Sequence, residues 1–205
     1  MNLQEVENII FDLGGVLIDI DYQATTNAFH QLGVWDFEQR YSQLNQNSLF
    51  DDFEKGVISG QHFINKIMEI VPRGVTPNEI VHAWNAMLGN FPTKKIDLIK
   101  KAGLTHRVFM LSNTNSLHLP PVISAWNRVE QRDMNCYFEK VYLSFEIGMR
   151  KPDEEVFNWV CNQNNLTPKK TLFIDDSPQH IAGAKKVGLL TYYYQNSEEF
   201  YSLFS

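Results

Sequence analysis

Four short stretches carry side chains that could act together. Asp12 is followed by Gly14-Gly15, Ser112 by Asn113, Lys151 by Pro152, and Asp175-Asp176 by Ser177-Pro178. Two adjacent carboxylates facing a third repel one another and need a cation. An all-oxygen set without His or Cys partners suits Mg²⁺, and the backbone carbonyl of Gly14 offers one more oxygen. A carboxylate surrounded by a hard cation, a hydroxyl, an amide and a lysine matches what binding and attacking a phosphoryl group requires. The metal and Lys151 would balance phosphate charge, and Ser112 with loop amides would bind its oxygens.

This chemistry depends on the elements that hold it. Ile9-Ile10-Phe11, Arg107 to Leu111, Val141 to Ser144, Thr171 to Ile174 and Leu190 to Tyr194 are apolar, β-branched or aromatic runs of strand length. From Thr93 onward they alternate with helical patterns: Thr93 to Ala102 stopped by Gly103, a helix after Arg150-Lys151-Pro152 with Asp153, Glu154 and Glu155 in its first turn, and one around Ile181 and Ala182 stopped by Gly188. Such alternation implies an α/β fold, a Rossmann-like parallel sheet with right-handed crossovers. All strands then end on one side, where ligands bind. Asp12, Ser112-Asn113 and Asp175-Asp176 each follow a strand directly, so they converge, and Lys151 reaches the same crevice. Alone, Asp12 would start a glycine turn and Lys151 would be a solvated lysine.

Between the first strand and the rest, the pattern is helical. Tyr22 to Leu32, Phe37 to Leu44, Ser59 to Val71 and Thr76 to Leu88 read as helices, the last opened by a capping box with Pro77 at its first position. The expected organisation is a core of residues 1–18 and 92–205 with a small helical cap, 19–91, inserted after the first strand. Asn90-Phe91-Pro92-Thr93 is the return hinge. Asp19 and Asp21 read as helix caps at its entrance. The stretch Pro120 to Phe138 has no clear assignment, and Ser197 to Phe204 reads as a helix packing Phe200, Leu203 and Phe204 on the sheet or on a second subunit.

Composition narrows the partners. A net charge of −6 and a pI near 5.5, without a Lys/Arg stripe, speak against nucleic acid and for a small phosphorylated molecule. Two cysteines, Cys136 and Cys161, are too few for a disulfide framework, and no run is long enough to span a bilayer, so a cytoplasmic protein is expected. Oligomeric state is open.

Phe11-Asp12-Leu13-Gly14-Gly15-Val16-Leu17, Leu111-Ser112-Asn113-Thr114, Gly148-Met149-Arg150-Lys151-Pro152 and Phe173-Ile174-Asp175-Asp176-Ser177, in this order and with a helical insertion after the first, resemble the haloacid dehalogenase-like hydrolase superfamily over essentially the whole chain. Within its capped phosphatase branch the motifs are similar to those of bacterial α-D-glucose-1-phosphate phosphatases. The resemblance implies a Mg²⁺-dependent phosphomonoester hydrolase for a small sugar phosphate such as glucose 1-phosphate. It makes Asp12 the nucleophile that forms an aspartyl-phosphate, Ser112 and Asn113 the phosphate-binding pair and Lys151 the charge stabiliser. Asp12 and Asp176 become metal ligands with the Gly14 carbonyl, and Asp175 the metal site's second acid.

One departure stands out. Most phosphatases of the superfamily carry an aspartate two residues after the nucleophile as general acid and base, and here that residue is Gly14. A metal-independent 2-haloacid dehalogenase and a non-catalytic phosphate-binding protein are therefore the alternatives. His30, His62, His82, His106 and His180 read as surface or helix-face residues, and His118 lies in a loop after the second motif. Glu54, Lys55 and Trp84 could meet a leaving group, but helix packing and exposed charge pairs account for them equally well.

Overall fold

The computed structural model describes residues 3–39 and 48–204. At its centre lies β1 (Asn8–Phe11), with all four residues buried. It pairs in parallel with β2 (Arg107–Ser112) on one side and β4 (Thr171–Asp175) on the other, and β3 (Lys140–Leu143) and β5 (Leu190–Tyr193) form the edges, giving the order β3-β2-β1-β4-β5. Ile9, Phe11, Val108, Met110, Leu172 and Ile174 point into one hydrophobic cluster, while Ile10, Phe109, Leu111 and Phe173 point into another on the opposite face. Burial on both faces is why these strands are continuous apolar runs rather than alternating ones. Each such side chain contributes about 1.5–3 kcal/mol by leaving water.

The stretch that follows β1 carries α1 (Tyr22–Gln31), α2 (Leu49–Glu54), α3 (Gly60–Met68) and α4 (Pro77–Asn85) outside the sheet. They share a third cluster in which Phe29, Phe37, Phe53, Phe63, Ile67 and Trp84 meet. The Thr76 hydroxyl accepts from Glu79 N and the Glu79 carboxylate accepts from Thr76 N, closing the expected capping box. Asp21 caps α1 by accepting from Gln23 N and Ala24 N, but Asp19 does not cap; it pairs with Lys95 Nζ at 3.2 Å. The helix expected over Phe37 to Leu44 lies largely outside the described residues, while α2 had no counterpart in the sequence reading because six residues carry too short a period to detect.

The remaining helices are α5 (Thr93–Ala102), α6 (Leu119–Asn127), α7 (Ser144–Ile147), α8 (Glu154–Asn164), α9 (Pro178–Lys186) and α10 (Ser197–Leu203). The unassigned stretch becomes α6 followed by a single 3₁₀ turn, Met134–Tyr137, anchored by Trp126, whose indole N–H donates to Arg132 O at 2.8 Å. Ser144 opens α7 instead of ending β3: its hydroxyl donates to Thr114 O and accepts from Thr114 N, which pulls it out of the strand line. The tail packs on its own sheet. Phe200 meets the Phe11 ring edge-on at 6.5 Å, and Phe204 stacks on it at 6.1 Å.

Candidate active site

The register of β1 decides which chemistry-bearing residues meet. Phe11 lies opposite Met110 on one side and Ile174 on the other. The next residues, Asp12, Leu111 and Asp175, therefore lie side by side at the C-terminal ends of the strands, with Ser112 and Asp176 one step beyond. Asp12 N donates to Ile174 O at 2.9 Å, which extends the ladder to the carboxylate itself. The chain runs from β1 outward through β2 and β3, then crosses to β4 and β5, so the β1/β4 boundary is the topological switch point. Open parallel sheets bind their ligands there.

Lys151 is fully buried, and its ammonium lies 2.7 Å from Asp12 Oδ1 and 2.7 Å from Asp175 Oδ2. Burial would lower the pKa of this lysine, yet the two carboxylates outweigh it and raise it, so the group stays charged. The Asn113 amide holds the loop that carries it: Oδ1 accepts from Lys151 N at 2.9 Å and Nδ2 donates to Lys151 O at 2.8 Å. Asn113 therefore spends its side-chain amide on positioning Lys151. Ser112 is buried, and its hydroxyl makes only a long 3.5 Å contact to Asn113 O.

Asp175 is the most heavily engaged acid. Besides Lys151, it accepts from Ser177 N at 2.8 Å and from His180 Nδ1 at 3.0 Å. Burial alone would raise its pKa, but Lys151 and His180 together hold it below the usual carboxylate range. Burial raises Asp12 against the pull of Lys151, and burial followed by the charge of Asp175 raises Asp176. His180, expected on a helix face, instead touches the centre. The hint lay in its position in the first turn after Asp175-Asp176-Ser177-Pro178, which turns its ring back toward the strand end.

These directions describe a site short of positive charge. Asp12, Asp175 and Asp176 can present oxygens all within 4.8 Å of one another, with a single ammonium among them. Gly15 makes this approach possible. It sits at φ 73°, a left-handed conformation, and a Cβ there would fall 2.0 Å from Asp176 Oδ2. A hard divalent cation fits this donor set, with the Gly14 carbonyl on the same turn.

The inserted helices wall the edge. Tyr22, Glu54 and His118 line one cavity with Gly14, Ser112 and Asn113. His118, at the start of α6, is stacked on Trp84 at 5.3 Å, and its Nδ1 lies 2.7 Å from Asn85 Oδ1, an atom that only accepts, so the ring carries its proton on Nδ1. Burial draws its pKa down to about 4, leaving the ring neutral. Arg150, next to Lys151, bonds Asp51 and reaches Glu54 Oε2 at 3.1 Å, tying α2 to the loop before α8.

Comparison with known proteins places these features in context. A family model described as haloacid dehalogenase-like hydrolase matches residues 123–193. A D-ribitol-5-phosphate phosphatase from Bacteroides thetaiotaomicron is 31% identical over 194 residues, covering 95% of this chain and 94% of that one. The structure of a wild-type HAD-family enzyme from the same organism, in complex with magnesium and inorganic phosphate, superposes with a TM-score of 0.90 at 34% identity, covering 98% of this chain and 100% of that one. A HAD-like family hydrolase from Porphyromonas gingivalis gives 0.85 at 33% identity, covering 96% and 94%.

Proposed function

The chain belongs to the haloacid dehalogenase-like hydrolases and is a phosphatase with magnesium as its cofactor, and from that premise we propose that it hydrolyses the phosphomonoester of a small sugar or sugar alcohol. The observation that carries this reading is the cluster at the β1/β4 edge, where Lys151 bridges Asp12 and Asp175 beside Ser112 and Asp176. Asp12 is the nucleophile and its carboxylate takes the phosphoryl group. Lys151 holds Asp12 in line and offsets charge on the phosphoryl oxygens. Ser112 offers its hydroxyl to those oxygens and Asn113 its backbone N–H. Asp12, Gly14, Asp175 and Asp176 would hold the Mg²⁺, with Asp175 also orienting Lys151. When bound, the ion balances the charge of the carboxylates and of the phosphate.

Residues 19–91 serve as a cap over this edge and residues 1–18 with 92–205 as the hydrolase core. The separate hydrophobic cluster of the inserted helices supports that division. The similarity to a D-ribitol-5-phosphate phosphatase supports a sugar-alcohol phosphate, while the motif likeness supports glucose 1-phosphate. Among the described residues no helix is long and apolar enough to cross a membrane. Both cysteines are free, which supports a cytoplasmic location.

A panel containing D-ribitol 5-phosphate, α-D-glucose 1-phosphate and other sugar phosphates, with and without Mg²⁺, tests the reading. Phosphate release from at least one member, abolished by a chelator, is expected. No release from any of them at high enzyme loading overturns it.

A further inference from the structure

A sugar or sugar-alcohol ester leaves as an alkoxide and needs a proton, and the water that frees the enzyme must lose one. Gly14 supplies neither. A Cβ at Gly14 would make ordinary contact with Ile20 Cγ1 at 3.5 Å and Cδ1 at 3.8 Å, and Gly14 lines a cavity that other side chains reach.

We propose that Glu54, carried on α2, fills the place left by Gly14 and acts as the general acid and base of the reaction. The inference rests on the phosphatase reading of the site and deepens it. Glu54 lines the same cavity as Gly14, Ser112 and Asn113. Arg150, itself bound to Asp51 on α2 and next in the chain to Lys151, lies 3.1 Å from Glu54 Oε2. The charged and titratable groups that act on it are Arg150, Lys151 and Tyr22, with Asp51 on the far side of Arg150 as that residue's other acid partner. Burial lifts its pKa to about 7 against the pull of Lys151, so both protonation states are populated near neutrality.

Other candidate groups fit less well. Burial draws the His118 pKa down to about 4, so near neutrality its ring holds no second proton to give to a leaving alkoxide. Burial and the neighbouring carboxylates hold the Tyr22 phenol above its ordinary value of 10.0, so it retains its proton. Asp19 is bound to Lys95, and Asp21 caps α1.

In the first half-reaction an Asp12 oxygen bonds to phosphorus, the bond to the sugar oxygen breaks, and that oxygen takes the Glu54 proton. In the second, water bonds to phosphorus as Glu54 takes its proton, and the bond to Asp12 breaks. Glu54 ends as it began.

The test compares the active sugar phosphate with p-nitrophenyl phosphate, whose leaving group needs no proton. Wild-type turnover of the sugar phosphate establishes the underlying reading independently of Glu54. Glu54→Gln is expected to slow the sugar phosphate by about a hundredfold to ten-thousandfold. The first-turnover burst of p-nitrophenolate should remain close to wild type and be followed by slow steady release. Asp51→Asn, which removes the other acid bound to Arg150, should preserve the ratio of the two substrates. Adding Gly14→Asp to Glu54→Gln should restore part of the lost rate. Equal first-turnover losses on both esters in folded Glu54→Gln, the same ratio change in Asp51→Asn or in His118→Gln, or no change at all overturns the proposal.

Discussion

The side-chain amide of Asn113 bonds both backbone groups of Lys151, accepting from its N–H at 2.9 Å and donating to its carbonyl at 2.8 Å. A residue at the end of β2 thereby sets the position of a lysine in the loop before α8. Asn113→Ala leaves both partly buried backbone groups unpaired, and a loss of about 1–3 kcal/mol is expected. Turnover should fall more than substrate affinity, because Lys151 loses its aim at Asp12. Urea denaturation and steady-state kinetics together check this. Wild-type turnover combined with lowered stability refutes the positioning role.

Asp12→Asn keeps the shape of the side chain and removes the nucleophile. Phosphate release should drop by a factor on the order of 10⁴ or more. The far-ultraviolet circular dichroism should be unchanged. Retention of a tenth of wild-type activity would rule out Asp12 as the attacking group.

Lys151 is wholly buried between two carboxylates. Lys151→Met therefore strands like charges at short range, and an apo-protein destabilisation of about 3–5 kcal/mol is expected. Mg²⁺ should recover part of it by supplying the missing positive charge. Chemical denaturation with metal and with chelator measures both quantities, and an apo variant as stable as wild type contradicts the assignment.

The three clustered acids should make thermal stability depend on metal. At a Mg²⁺ concentration a hundred times the dissociation constant, the gain is about 2.7 kcal/mol. For a chain of this size that corresponds to a rise of roughly 5–10 °C in Tm. Asp176→Asn should remove most of the shift. Thermal scans against EDTA decide it, and an unchanged midpoint speaks against a resident ion.

His118 gives a pH signature of definite sign. Burial lowers its pKa from 6.5 to about 4, so the unfolded chain binds its proton first as the pH falls. The stability it contributes is present above pH 6.5 and is lost between there and pH 4, by about 3 kcal/mol in total. Asp12 and Glu54, raised by burial, act in the opposite direction above their ordinary values. The informative quantity is thus the difference between wild type and His118→Phe across this range. That difference should shrink as the pH falls, and a constant difference is inconsistent with a buried neutral ring.

Local pattern alone determined the sheet and the places where chemistry could sit. β1, β2 and β4 are buried on both faces, so each had to be a short apolar run, and each ends on a polar residue that an apolar core cannot hold. The four motifs in order then carried the family and the metal. What the tertiary structure decided is how those residues are used. The Asn113 side chain bonds the Lys151 backbone, His180 came from a helix face to Asp175, and Asp175 also bonds Lys151. The contacts of Glu54 with Arg150 and of His118 with Trp84 join elements far apart in the chain. A periodic pattern reports which face of an element is buried, but not which partner covers it. The cavity above Gly14, and the acid that reaches it, exist only once α2 is folded over the strand ends.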